Sequence, residues 1–185
     1  MTPREEDATP VGAAPELEWL CLQPEPKAWV VAHARPRCEK KILGLCQREG
    51  ITAYLPLRTT RRRYGKRVRI FQNPLFSGYL FAAVDRNQKQ FLRQNDYLAN
   101  LLETPEQAKL VNQLRQIATV LAIGGVQETL PFIQKGKPVR VIAGPFKGLE
   151  GVVERIASQT RIIISVDLIG QGIACEVEPT YLAPT

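Results

Sequence analysis

The spacing of hydrophobic residues changes along the 185-residue chain, and each change predicts a different element. From Trp29, WVVAHA is typical of a strand, and the helix predicted after it begins near Pro36 and ends at Gly50, with its apolar residues on one face. ITAYLPL and GYLFAAV are predicted strands, and the basic segment between them carries YGK, which is typical of a hairpin tip. We expect these strands to form one antiparallel sheet.

A second helix is predicted from Thr104. There T-P-E-Q supplies an N-cap residue, a proline for the first helical position and a glutamine that can close a capping box. Apolar residues then recur at spacings of three and four until Gly124 and Gly125, which end the helix. The apolar face of this helix should pack on the sheet.

The pattern changes after this helix. Residues 124–134 combine glycine and proline without periodicity, which predicts a linker. Residues 135–185 hold short β segments separated by glycine-bearing turns at the spacing of a small barrel. The predicted fold class is therefore α+β: an N-terminal antiparallel sheet with helices over residues 28–123, followed by a small SH3-like β-barrel.

The ends and the charge of the chain add two expectations. Residues 1–27 are acidic and hold five prolines, which predicts a disordered leader whose apolar piece LEWLCL can dock on the body. The formal net charge is +7, and the segment Arg58–Arg69 alone supplies seven positive charges, which favours a polyanionic partner. No apolar run is long enough to span a membrane and no signal peptide is recognisable, so we expect a cytoplasmic protein without a membrane partner.

The most specific motif is KGKPVRVIAGPFKGLEGVVERI, at residues 135–156. It closely resembles the KOW motif, because its valines, its glycine-proline turn and its later glycines stand at that motif's positions. The matching residues are Val139, Val141, Gly144, Pro145, Phe146, Gly148 and Gly151.

Before this motif come WVV, a helix containing E-K-K, then YLP, a basic hairpin and PLFSGYLF. In this order they resemble the NusG family of transcription elongation factors over residues 28–185. The resemblance implies an NGN-like domain that binds the clamp region of RNA polymerase beside upstream or non-template DNA. It also implies a KOW domain that recruits further partners, with the ribosome and other factors as candidates.

The resemblance also assigns residues. Those matching the family's apolar polymerase-binding surface, together with plausible neighbours, are Trp29, Tyr54, Leu75, Phe76 and Tyr79. Those able to neutralise phosphates without reading sequence are Arg58, Arg61, Arg62, Arg63, Lys66, Arg67 and Arg69. The alternatives are that the aromatic residues form the domain core and that the basic run is a solvated hairpin.

The short spacing from GKR to PLF, the YLF strand and the altered barrel surface resemble specialised members of the family, such as RfaH-like antiterminators of polysaccharide operons. Two departures from the general pattern are present, one in the turn before Gly78 and one in the barrel. Ser77 stands where the family usually has proline, Leu149 and Ile169 stand where general members carry aromatics, and Gln171 replaces an arginine. Binding of the small ribosomal subunit or of Rho is therefore not expected with the same strength as in general members.

No motif for catalysis, a cofactor or a metal is present, so we expect a monomeric binding protein and not an enzyme. The four cysteines should be reduced and packed. Two alternatives stay open. One is an RNA-binding KOW module of the ribosomal-protein type, and the other is a general NusG factor that also supports termination.

Overall fold

The computed structural model describes residues 20–65, 67–126, 128–131, 136–156 and 159–185. Most of the predicted leader, residues 1–19, and the predicted nucleic-acid residue Lys66 lie outside the described residues. The helices are α1 (Glu39–Arg48), α2 (Arg86–Arg93) and α3 (Gln107–Ile123). The strands are β1 (Ala28–Ala34), β2 (Thr52–Tyr54), β3 (Leu57–Tyr64), β4 (Arg67–Pro74), β5 (Tyr79–Val84), β6 (Leu98–Leu102), β7 (Glu128–Pro131), β8 (Pro138–Val141), β9 (Glu150–Ile156), β10 (Gln159–Val166), β11 (Gln171–Glu176) and β12 (Leu182–Pro184).

The N-terminal part contains a four-stranded antiparallel sheet in the order β2-β5-β1-β6. Because successive side chains of a strand point to opposite faces, Val30 and Ala32 lie on one face and Trp29 and Val31 on the other. The first face packs in one buried cluster with residues of α1 and α2. The second face packs with the apolar side of α3, including Leu114. The helix after Thr104 thus packs on the sheet, as predicted.

The C-terminal part is a six-stranded antiparallel sheet in the order β12-β8-β9-β10-β11-β7, consistent with a small KOW or SH3-like domain. The α+β fold class is confirmed. Strand β7 falls inside the segment for which the sequence predicts only a linker, and it pairs with β11. Its residues carry no alternation of their own, so the pairing comes from the neighbouring edge of the sheet.

The two parts are in contact along α3. The side chain of Gln116 accepts a hydrogen bond from the backbone N–H of Glu150 at 2.7 Å, and Lys109 forms an ion pair with Asp167 at 2.9 Å. One buried cluster contains residues of both parts, including Leu114 of α3 and Phe146 of the KOW motif. The helix predicted to cover the sheet therefore also supports the C-terminal domain.

Two local features differ from the sequence expectations. Helix α3 begins at Gln107 with Glu106 as N-cap, whose side chain makes no capping hydrogen bond, while Thr104 Oγ1 accepts a hydrogen bond from the backbone N–H of Glu106 at 3.1 Å. The segment between β5 and β6 holds α2, which begins with a capping box formed by Asp85 and Gln88. Leu20, by contrast, belongs to the apolar piece of the leader that the sequence expects to dock on the body, and it is buried in the core beside α3, where its carbonyl oxygen accepts a hydrogen bond from Arg115 Nε at 2.6 Å.

Candidate functional site

The basic run lies on a hairpin, residues 57–74, that forms a two-stranded sheet of its own. Strands β3 and β4 pair antiparallel from Leu57 opposite Pro74 to Tyr64 opposite Arg67, and Gly65 in the turn has φ +60°. A positive φ of this kind suits glycine at a tight turn. The pairing of β3 with β4 therefore brings the basic residues together on a narrow two-stranded ribbon. We call residues 57–74 the basic hairpin.

The arginines of this hairpin are exposed. They are Arg58, Arg61, Arg62, Arg63, Arg67 and Arg69. In the described part of the chain, the ion pairs within the protein involve other residues, so Arg61 to Arg63, Arg67 and Arg69 have no acidic partner there. Arg63 Nε donates to the carbonyl oxygen of Gly65 at 3.0 Å. A ribbon with this much uncompensated positive charge attracts polyanions.

The base of the hairpin is joined to the body by α1. Lys40 Nζ donates to the carbonyl oxygen of Gln72 at 2.7 Å. The carboxylate of Glu39, which is buried, accepts a hydrogen bond from the N–H of Gly78 at 2.8 Å. Gly78 has φ +85°, so the turn before β5 depends on glycine and is held by Glu39, although Ser77 replaces the family's proline. These contacts fix the hairpin relative to the sheet.

The predicted apolar surface (Trp29, Tyr54, Leu75, Phe76 and Tyr79) is largely buried. Trp29 is 0% exposed, Phe76 1% and Leu75 5%. This burial does not match the exposed surface that sequence reasoning expects for these three residues, because side-chain type alone does not show which other segment covers a strand. In this arrangement they belong to the core and can contribute to binding only through the residues they support.

Trp29 is held by two segments distant in the chain. Its ring Nε1 donates to the carbonyl oxygen of Cys21 at 2.7 Å, so the described end of the leader covers the indole. The side-chain amide of Gln107 brackets the backbone of Trp29, accepting from its N–H at 2.7 Å and donating to its carbonyl oxygen at 3.0 Å. The glutamine predicted to close a capping box thus binds the neighbouring strand.

The other two members of the predicted apolar surface, Tyr54 and Tyr79, are half-buried. Tyr79 lies opposite His33 in the sheet, and the two rings stack with centroids 4.8 Å apart and an interplanar angle of 18°. Tyr54 lies opposite Phe81 with centroids 6.4 Å apart, and burial raises the pKa of its phenol. Because His33, Tyr79 and Phe81 alternate on one face, Tyr54, Tyr79 and His33 form a partly exposed aromatic row on that face.

Sequence reasoning did not assign a role to His33. The signal that identifies it is its place in the strand, two residues after Val31 and four after Trp29, on the same face as both. Its stacking on Tyr79 could not be predicted without the register of β1 against β5.

The KOW residues form one end of the C-terminal sheet. Val139, Val141 and Phe146 are buried, whereas Pro145 is exposed in the turn. Gly144 and Gly148 have φ values of +78° and +92°, which favour glycine. The remaining motif glycine, Gly151, lies against the backbone of β10, where a side chain would overlap the carbonyl oxygen of Ile163. The spacing of the motif is thus explained by turn geometry and close packing.

Two positions that depart from the family pattern lie at the contact with α3. Leu149 is buried in the cluster shared by the two parts of the chain, and Ile169 packs against that cluster. Ile169 belongs to a short 3₁₀ helix, Asp167–Ile169, which Gly170 ends with φ +60°. The side chains that differ from the aromatics of general members therefore make intramolecular contacts in this structure.

Comparison with protein families agrees with this geometry. The family described as "Transcription termination factor nusG" matches residues 27–141, and the KOW motif matches residues 135–165. The chain belongs to the NusG family. No curated protein matches the chain significantly. The NusG match covers the sheet, the three helices and the basic hairpin, and the KOW match covers the motif glycines.

Other chemistry has little support among the described residues. No three His, Cys, Asp or Glu side chains there are grouped as a metal site would require. The four cysteines are free, and burial raises the pKa of the Cys46 thiol to about 11 and that of the Cys175 thiol to about 12. Such thiols are poor nucleophiles because the thiolate is the reactive form. In the same part of the chain, no helix is long and apolar enough to cross a membrane.

Proposed function

We propose that this member of the NusG family binds RNA polymerase through residues 28–123, contacts upstream or non-template DNA with the basic hairpin, and recruits other partners through its KOW domain. The NusG and KOW matches together already identify the family of transcription elongation and antitermination factors, which are non-enzymatic regulators. The clamp region, the DNA and the further partners are the specific part of the proposal. It implies the cytoplasmic location expected from the sequence.

One observation carries the proposal: the basic hairpin extends from the four-stranded sheet next to a partly exposed aromatic row. Arginines can neutralise phosphates on either strand of DNA without reading the bases. Aromatic side chains, by contrast, are enriched where protein interfaces gain their affinity. A factor that must touch polymerase and DNA at once needs both surfaces side by side, and Tyr79 follows β4 by only a short turn.

We assign the polymerase contact to Tyr54, Tyr79 and His33, with the buried Trp29, Leu75 and Phe76 as their support. The stacked pair of His33 and Tyr79 offers a flat, partly exposed ring surface of the kind that anchors interfaces. Phe81 lies beneath Tyr54, and it is fully buried. Of the five residues predicted to bind polymerase, only Tyr54 and Tyr79 are thus proposed to contact it directly, together with His33.

The contacts of Leu149 and Ile169 support a specialised member of the family over a general one. Both side chains pack within the protein, next to α3, in place of presenting aromatic rings to a partner. Recruitment of the ribosome or of Rho through that surface requires that it first separate from α3. These intramolecular contacts favour an antiterminator. Chromatin immunoprecipitation should then show that the protein occupies only a few operons.

The proposal is tested by titrating the full chain into core RNA polymerase that lacks nucleic acid. Replacing Tyr79 with alanine should weaken binding by about 2 kcal/mol, because aromatic anchors at an interface centre contribute at that scale. Tyr97→Ala is the matched control, since Tyr97 is exposed on the loop before β6. Circular dichroism confirms that both variants fold.

If the wild-type chain binds RNA but does not bind polymerase, the result favours the alternative function, an RNA-binding KOW module. Equal losses in Tyr79→Ala and Tyr97→Ala would show that the aromatic row is not the contact.

A further inference from the structure

The strand register of the basic hairpin places like charges side by side. Residues opposite each other across β3 and β4 share a face of the ribbon, and successive pairs lie on alternate faces. Arg62 lies directly opposite Arg69, and the next pair on that face is Tyr64 with Arg67. Like charges directly opposite each other destabilise a strand pair, so this face gains from an anionic ligand. We call Arg62, Arg67 and Arg69 the arginine cluster.

The leader carries the complementary charge. In the described part of the chain, the ion pairs use other basic residues, so no carboxylate there compensates the arginine cluster. Residues 1–19 hold five acidic side chains and one basic side chain. Three of the acidic residues, Glu5, Glu6 and Asp7, are consecutive. Carboxylates and guanidinium groups form the strongest paired hydrogen bonds among side chains.

The described end of the leader is fixed to the body close to the hairpin in the fold. Leu20 is 0% exposed, and its carbonyl oxygen is held by Arg115. Leu20 belongs to the same buried cluster as Leu75 and Phe76, the two residues that directly follow the hairpin. The leader and the hairpin therefore both leave the body at this cluster.

The chain between the acidic residues and Leu20 is long enough to reach the hairpin. Twelve residues separate Asp7 from Leu20, and an extended chain of that length spans about 40 Å. The hairpin pairs from Leu57 to Tyr64, which corresponds to about 23 Å at ~3.3 Å per residue. About 17 Å of chain is then left for the path from Leu20 to the base of the hairpin.

We propose that the acidic segment Glu5–Asp7 binds the arginine cluster of the same molecule and shields it from other polyanions. A tethered segment has an effective concentration in the millimolar range when its linker matches the span, so individually weak ion pairs can hold it in place. The inference goes beyond the proposed function, and only its consequence for DNA rests on that function: DNA must displace the leader before it binds the hairpin.

The direct test compares NMR amide spectra of the full wild-type chain with those of a triple variant, Glu5→Gln with Glu6→Gln and Asp7→Asn, without nucleic acid. Neutralising the leader should shift the amide signals of residues 62–69 at low salt. Salt at about 1 M should move the wild-type signals towards those of the variant, because the Debye length falls to about 3 Å.

A matched control removes three acidic groups at exposed sites outside the leader: Glu49→Gln, Asp96→Asn and Glu178→Gln. It should leave the hairpin signals unchanged. Hairpin signals that stay unchanged in the leader variant, or that move equally in the control, would overturn the proposal. Signals that depend on protein concentration would assign the contact to the leader of a second copy and would also overturn it.

A second pair of variants tests the choice of face. Arg62→Gln combined with Arg69→Gln should abolish the spectral difference that neutralising the leader causes. Arg61→Gln combined with Arg63→Gln, on the opposite face of the ribbon, should preserve most of it. Equal losses in the two double variants would show that the leader does not select the arginine cluster.

The consequence for DNA is measured by fluorescence anisotropy with a labelled duplex at low salt. The leader variant should bind at least about threefold more tightly than the wild type, the gain expected if the leader occupies the hairpin about two-thirds of the time. An equal gain in the matched control would show that net charge, and not shielding, determines the affinity. If none of the chains binds DNA, the proposed DNA contact fails, while the amide spectra still decide whether the leader occupies the hairpin.

Discussion

The basic hairpin and the predicted apolar surface are close in the chain, since Leu75 and Phe76 directly follow the hairpin, yet the first is exposed and the second is largely buried. Most of the described side chains of the hairpin are exposed, and α1 joins its base through the hydrogen bond from Lys40 to Gln72. Trp29 and Phe76 lie instead in a cluster that draws residues from the sheet, α3, the leader and the KOW domain. The comparison shows that local charge predicts exposure well, whereas apolar character leaves open whether a side chain meets a partner or the rest of its own chain.

The largest expected difference between the two regions is in stability. Phe76→Ala should lower the free energy of unfolding by about 3–5 kcal/mol, because it removes a fully buried ring and leaves a cavity. Arg61→Gln, on the exposed hairpin, should change it by no more than about 0.5 kcal/mol. Urea denaturation followed by circular dichroism measures both. A Phe76 variant as stable as the arginine variant would show that this ring is not part of the core.

The hairpin should dominate in a second measurement, the salt dependence of binding to an elongation complex that contains DNA. Arg62 and Arg69 lie opposite each other, and replacing both with glutamine should reduce the salt slope by about 0.7–0.9 for each phosphate that the protein no longer neutralises. Affinity for polymerase without DNA should stay nearly constant.

Arg48→Gln combined with Arg86→Gln gives a control with the same change in charge at exposed sites outside the hairpin. If this control flattens the slope equally, net charge and not the position of the hairpin determines the effect.

The smallest expected effect concerns the ion pair that joins α3 to the KOW domain. The pKa of Asp167 is lowered: burial alone would raise it, but hydrogen bonds with Lys109, Ser165 and Gln113 outweigh that effect. The same contacts with Asp167 raise the pKa of Lys109. The contribution of Asp167 to docking is therefore present above the ordinary carboxyl pKa and is lost as the pH falls through the lowered value. The contribution of Lys109 to docking is lost as the pH rises through the raised pKa of its ammonium group.

Acidification protonates Asp167 and should therefore loosen the contact between α3 and the KOW domain. The effect should be small because exposed ion pairs are weak. The amide chemical shift of Gly125, which lies against the Phe146 ring, reports this loosening in an NMR titration. Asp167→Asn should remove the pH dependence. A shift that titrates unchanged in this variant would assign the dependence to another group.

The elements with strong periodicity could be predicted from the sequence, and those that depend on partners could not. The helix after Thr104 and the strand at Trp29 carry their own signals. By contrast, β7 forms because β11 offers an edge, and Trp29 is covered by Cys21 and its neighbours, which no local pattern indicates. The spacing of Asp85 and Gln88 is that of a capping box, so it is a local signal for the start of α2. The segment between β5 and β6 has no clear apolar period to strengthen this signal.

The candidate site divides in the same way. The exposed arginines were predictable because a run of one charge sign can hardly be buried. Which of them share a face with Tyr64 was not predictable, since a shift of one residue in the pairing would exchange the two faces.

Gly125, just after α3, has a consequence for how this protein can vary. A methyl group at that position would overlap the ring of Phe146, although the two residues belong to different parts of the chain. A larger residue at 125 therefore requires a smaller one at 146, or a linker that lets the domains separate, whereas a smaller residue at 146 alone makes no clash. Among descendants of this sequence that keep the contact, a side chain at 125 should occur only together with a smaller residue at 146, and where it occurs opposite Phe146 the KOW domain should be found released from α3.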